Sequence, residues 1–304
     1  LPFGGIIVLV SMSIFIAEIF ATIKKVEDLD VVMTSVLVSN LFLAFGIVVG
    51  FVMSLGYAGV AAVDVSALLK SHIFFVLGGY VATALMGLSV VLLAMFGLSH
   101  GFSKKPLGVA IWLMSGAVML VFIAALTALH WLENIAFVLA FFSFSTYFYL
   151  VYTIYKTRAR KEIDIYAKSL FFAYGSLFVS VLVLLGYSYT QEVGMLLGGA
   201  WLIVFGFFAF AITGHLYKIV PFLVWFERFS PLVGKQKVPM LAEMLPKRSS
   251  SLQFWFASSG VSTVFVAILL GNTIVLKIGA VLMVFGAFAL LKGLYYMMNY
   301  NIKV

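Results

Sequence analysis

The chain has 304 residues, of which 64% are hydrophobic and only 10% charged, and its mean hydropathy is +1.18. A water-soluble domain carries about 25% charged residues, so this chain cannot coat a water-facing surface, and a separate soluble domain is excluded. Cysteine is absent, which excludes disulfides, thiolate metal sites and iron–sulfur clusters. The formal net charge of +8 reads as membrane topology and implies no nucleic acid.

A spanning helix needs about 20 mostly apolar residues. In chain order the stretches that qualify are Phe3–Ile23, Val31–Leu55, Leu68–Leu98, Leu107–Leu129, Ile135–Tyr155, Tyr166–Tyr189, Val193–Lys218, Leu252–Leu270 and Thr273–Met298. A bilayer admits only helices and closed barrels, and these runs lack the two-residue alternation of barrel strands. The expectation is an all-α fold: a polytopic transmembrane helix bundle of nine spans, forming a single transmembrane domain over residues 1–304. The first span has no basic n-region, so it is not read as a cleaved signal peptide.

Cations set the expected orientation. Connections after odd-numbered spans hold Lys24 and Lys25, Lys104 and Lys105, Lys156, Arg158, Arg160 and Lys161, and then Arg228, Lys235, Lys237, Lys247 and Arg248; Lys303 ends the series. The opposite side holds little beyond Lys70 and Lys277. The N-terminus is therefore expected outside and the C-terminus in the cytoplasm. Gly56–Ser66 is then an external loop with Asp64 as a helix N-cap. Residues 226–251 form a cytoplasmic interfacial loop, whose segment VPMLAEMLPK reads as a short amphipathic helix. No internal repeat is visible.

The four histidines divide by depth. His72 and His130 lie at the outer ends of the third and fourth spans, His100 and His215 at the inner ends of the third and seventh. His72 and His100 are separated by about 42 Å along one helix and cannot share a site. Two imidazoles facing each other across a bundle suit a six-coordinate b-type haem. The outer pair His72 and His130 is the expected ligand set, with Lys70 for a propionate and Gly79 on the wall; His100 and His215 can hold a second haem. Each signal has a plainer reading. Spaced glycines are usually helix contacts. His130 sits in an ordinary aromatic–polar belt with Trp131 and Glu133. His100 lies in a loop. Glu18 is an intramembrane carboxylate that either relays protons or snorkels toward Lys24. The methionines and phenylalanines read as packing.

Two stretches carry a resemblance. SHIFFVLGGYVATALMGLSVVLLAMFGLSHGFS resembles the haem-ligating helix of haem–copper oxidase subunit I-like proteins. GHLYKIVPFLVWFERFSPLVGKQKVPML is similar to a segment of small relatives of those proteins and of the NnrS-type nitric-oxide-tolerance proteins. The resemblance covers about a quarter of the chain. It implies that His72 takes the haem-ligating position. No His-His pair and no His-x-x-x-Tyr is present, so no copper site is expected.

The leading expectation is an integral b-type haem protein of a bacterial-type cytoplasmic membrane, serving electron transfer or diatomic-gas chemistry in a respiratory system. Two alternatives stand beside it. One is a cofactor-free accessory or assembly subunit of a larger membrane complex. The other is a small-solute or proton transporter using Glu18, Asn40 and a helix break at Pro221. The lipid bilayer is the certain partner; other membrane subunits or a homo-oligomer are the further ones considered.

Overall fold

A computed structural model describes residues 2–127 and 129–301. Among them are nine helices long and apolar enough to span a bilayer, and no strands. They are α1 (Pro2–Ile23), α2 (Val31–Tyr57), α3 (Val65–Gly97), α4 (Lys105–Thr127), α5 (Trp131–Thr157), α6 (Ile165–Thr190), α7 (Val193–Arg228), α8 (Lys247–Leu270) and α9 (Thr273–Met298). The spans expected from hydropathy are thus present. Lys303 lies outside the described residues.

Local chemistry starts several of these helices. The first N–H groups of a helix have no partner within it, and in lipid that deficit is costly. Asp30 accepts from Val32 and Met33 N–H, Asp64 from Ser66 and Ala67, Asp164 from Ala167, and Asn272 from Ile274 and Val275. Asp64 caps as expected, and the Ser66 hydroxyl that also binds its carboxylate holds its pKa below the ordinary range.

The chain divides into two compact units, Leu1–Lys161 and Glu162–Val304. In the first, α2 packs along the whole of α3, α4 and α5 form a hairpin, and α1 is added against α2. In the second, α6 packs along the whole of α7, and α8 and α9 form a hairpin. The order of elements in α2–α5 therefore recurs in α6–α9. The recurrence extends to an unusual detail. In α3, nine α-helical residues precede a π-helical segment, Phe74–Ala82; in α7, nine precede another, Leu202–Phe208. A π turn shifts hydrogen bonding from i−4 to i−5 and usually marks a special site. In α3 the Thr83 hydroxyl donates to the Gly78 carbonyl five residues back, 3.1 Å away.

Side chains of one helix seated on glycines of the other set the α2–α3 register. A Cβ on Gly46 would meet Val76 at 3.0 Å, one on Gly79 would meet Phe42 at 2.6 Å, and one on Gly87 would collide with the Ser35 hydroxyl. Around this seam lie fully buried Phe75, Met86, Met114 and Tyr147, so the long apolar side chains fill the bundle as expected.

In each unit the cation-bearing connections share one end. In the first, Lys104 pairs with Asp30 at 3.0 Å, and the Ala159 N–H reaches the Leu98 carbonyl at 3.2 Å. In the second, Lys218 pairs with Asp164 at 2.5 Å and Phe229 packs on Tyr300.

Three local expectations are corrected. The helix does not break at Pro221: α7 runs ten residues beyond Lys218 to Arg228. Only one backbone bond is lost there, and Trp225 anchors the extension by donating to the Pro239 carbonyl at 2.8 Å. VPMLAEMLPK is not a helix but an irregular segment with a turn over residues 241–244, running into the start of α8 at Lys247, because Pro239 and Pro246 remove donors and push their preceding residues out of the helical region. Finally, α8 starts at Lys247, before its apolar run, because Ser249 and Ser250 are buried and Ser249 donates to the Ala289 carbonyl of α9.

Candidate functional site

Two histidines, one per unit, lie on the interrupted spanning helices. His72 lies in the turn before the π segment of α3. Its Nδ1 is 2.9 Å from the Gly46 carbonyl of α2. A carbonyl only accepts, so Nδ1 carries the proton and Nε2 carries the lone pair. Gly50 makes the fit possible, since a Cβ there would fall 2.8 Å from Cε1 of the ring.

His215 lies in α7, after the π segment. Its Nδ1 donates to the Ala211 carbonyl at 2.7 Å, which fixes the same tautomer. The Tyr166 ring meets the imidazole edge-on at 5.2 Å between centres. The Nε2 atom is buried and has no hydrogen-bond partner. A buried acceptor left unmatched costs about 1–3 kcal/mol, so this atom is where a ligand would be expected. Beside it, Lys218 lies 5.6 Å from the centre of the Tyr166 ring and is bound by Asp164. Asp164 and Tyr166 escaped the sequence reading; the only local signal was an Asp preceding an apolar run, which marks a cap.

The outer residues arrange themselves differently from the expected ligand pair. Lys70 and His72 are two positions apart, roughly 200° around the helix. Lys70 therefore reaches α5, pairing with Glu133 at 2.8 Å, while His72 reaches α2. His130 caps the start of α5 with its side chain 80% exposed, 3.5 Å from the other Glu133 oxygen. The structure thus joins Lys70 and His130 through Glu133 and leaves the His72 ring on another face. Gly79 is covered by the Phe42 ring, a helix contact. His100 is exposed in the loop after α3. His100 and His215 belong to different units.

Asn40 Oδ1 of α2 and Ser71 Oγ of α3 are likewise buried without a partner. The α2–α3 register places Asn40 opposite the end of the π segment. Glu18 of α1 is exposed and bears no side-chain partner among the described contacts.

A haem supplies four metal ligands itself and asks the protein for axial nitrogens. Such a histidine normally donates its other ring N–H to a carbonyl or carboxylate. His72 and His215 both satisfy that requirement; His215 alone adds a buried, unmatched Nε2. Among the described residues no three His, Asp or Glu side chains gather to hold a bare metal ion.

Nine apolar helices and the absence of strands among the described residues define an all-helical integral membrane protein. No family model matches the chain, and neither a curated protein nor a solved structure matches it.

Proposed function

We propose that this is a b-type haem protein of a bacterial-type cytoplasmic membrane, N-terminus outside and C-terminus inside, serving electron transfer or diatomic-gas chemistry in a respiratory system. The observation that carries the reading is His215: its Nδ1 proton is committed to the Ala211 carbonyl, and its buried Nε2 has nothing to bind. His72 supports it with the same tautomer in the other unit. When bound, the haem would supply the electron-carrying or gas-binding iron. The chain's part is to present a neutral imidazole in a dry, aromatic setting beside Tyr166. This reading rests on His215 as a ligand within its own unit rather than on His72 with His130.

The test is a reduced-minus-oxidised spectrum of purified protein with a pyridine haemochrome assay, after expression with ample haem. A b-type signal is expected, lost or shifted in His215→Ala. Absence of haem from such a preparation overturns the proposal, and retention of an unchanged spectrum in both His215→Ala and His72→Ala overturns the ligand assignment.

A second reading is transport. It draws on the recurrence of an interrupted helix in corresponding places of the patterns α2–α5 and α6–α9, since interrupted helices within repeats often form substrate sites. It also draws on the unmatched Asn40 Oδ1 at one of those interruptions. Solute uptake or proton movement in proteoliposomes, abolished by Asn40→Leu, would favour it over the haem reading.

A further inference from the structure

Helix α1 stands apart from the recurring four-helix pattern. It packs on α2, and only 11% of its apolar stretch is buried, as low as in α9 and well below the 39% of α2. Its outward side is an open face made by Ile14, Ala17, Glu18, Ala21 and Thr22, with Lys25 just beyond the end of the helix. These positions follow the three- and four-residue spacing of one helix face. Ala17 and Ala21 are small enough to let another backbone approach.

Glu18 gives this face its chemistry. It sits within the apolar run SIFIAEIFATI, about 7 Å along the axis from the end of α1 at Ile23. Helical side chains tilt toward the N-terminus of their own helix. Glu18 therefore tilts toward the middle of the span, and Lys25, about two turns further along the same face, makes no ion pair with it among the described contacts. A carboxylate facing hydrocarbon is strongly disfavoured without a counter-group.

We infer that this face of α1 docks a transmembrane helix of a partner subunit that carries one arginine or lysine at the depth of Glu18. Charge decides against a second copy of this chain. Two copies insert the same way, so a symmetric contact through this face would set Glu18 against Glu18 at one depth, while Lys25 lies about two turns away. A foreign helix with a cation at that depth satisfies the carboxylate and packs over Ala17 and Ala21. The inference is independent of the haem reading.

The chain lacks cysteine, so a single Val60→Cys at an exposed loop site accepts a fluorophore. Full-length labelled protein is co-reconstituted with a synthetic leucine–alanine spanning peptide whose one arginine lies five residues inside its lysine-flanked end, or with the same peptide bearing leucine there. The expected result is energy transfer to the arginine peptide several-fold above that to the leucine peptide, lost in Glu18→Leu and in Ala21→Phe. Both substitutions lie on the exposed face and leave the bundle intact. Equal transfer to both peptides, or transfer indifferent to Glu18→Leu, overturns the inference. So does copy-to-copy crosslinking of Ala21→Cys in membranes expressing this chain alone, which would assign the face to self-association.

Discussion

The His72 imidazole lies where a side chain on Gly50 would be: a Cβ at position 50 would come within 2.8 Å of Cε1. The histidine is held by two features of one neighbouring helix, the missing side chain of Gly50 and the carbonyl of Gly46 one turn earlier. Gly50→Ala is expected to expel the ring and destabilise the first unit by about 1–3 kcal/mol, the usual cost of overpacking. In a His72→Ala background the same change should cost much less. Thermal unfolding of the four proteins in detergent checks this; simple additivity of the two single effects would show that the ring and Gly50 do not compete for the space.

On α9, Gly279, Gly286 and Gly293 recur every seven residues and all are buried. Gly279 and Gly260 bring α8 and α9 into backbone contact, since a Cβ on either would meet the other's carbonyl oxygen at 2.8–2.9 Å. Backbone cannot move aside as a flexible side chain can. Gly279→Leu is expected to abolish a stable α8–α9 hairpin, seen as loss of monodisperse protein on size exclusion, whereas Gly175→Leu, where a Cβ would meet nothing within 4 Å, should be tolerated.

Asp164 has two tasks, capping α6 through Ala167 and balancing Lys218, whose side chain is only 13% exposed. Asp164→Asn keeps an oxygen for the cap and loses the charge; Asp164→Ala loses both. The alanine variant is expected to be less stable than the asparagine variant by about 1 kcal/mol, the usual worth of an N-cap. Equal melting temperatures would assign the whole effect to the ion pair.

Asp30 links acidity to stability. The Met33 N–H holds its carboxyl pKa below the ordinary value against burial, the next effect in size, and Lys104 and the Val32 N–H add to the lowering. A depressed folded-state pKa means that the charged form stabilises the fold. The contribution is fully present above the ordinary carboxylate pKa, about 4, and is lost as pH falls through the lower folded value. Unfolding midpoints measured from neutral pH downward should fall below about pH 4 in the parent and fall less steeply in Asp30→Asn. Identical acid profiles would remove Asp30 from the account.

The membrane class was legible in the sequence because hydropathy is additive. Twenty apolar residues must form a helix in lipid whatever surrounds them, and the spans, the Asp64 cap and the clustering of cations at shared helix ends follow from composition alone. The histidine site was legible only as a set of candidates. Depth along the chain put His72 level with His130, yet the rotation of α3 sends Lys70 to α5 and His72 to α2. Rotation about a helix axis is invisible when nearly every face is apolar, because the usual polar–apolar contrast that reports it is missing. For the same reason the glycines could not be sorted beforehand: Gly79 turned out to seat Phe42 and Gly50 to seat an imidazole. The two π segments and the recurrence they mark were decided by packing, since a one-residue shift in hydrogen bonding leaves no composition behind it. By itself the sequence determined where the chain must be helical and that it lies in a membrane; only the tertiary structure decided which side chains meet, because that depends on helix rotation and close backbone approach.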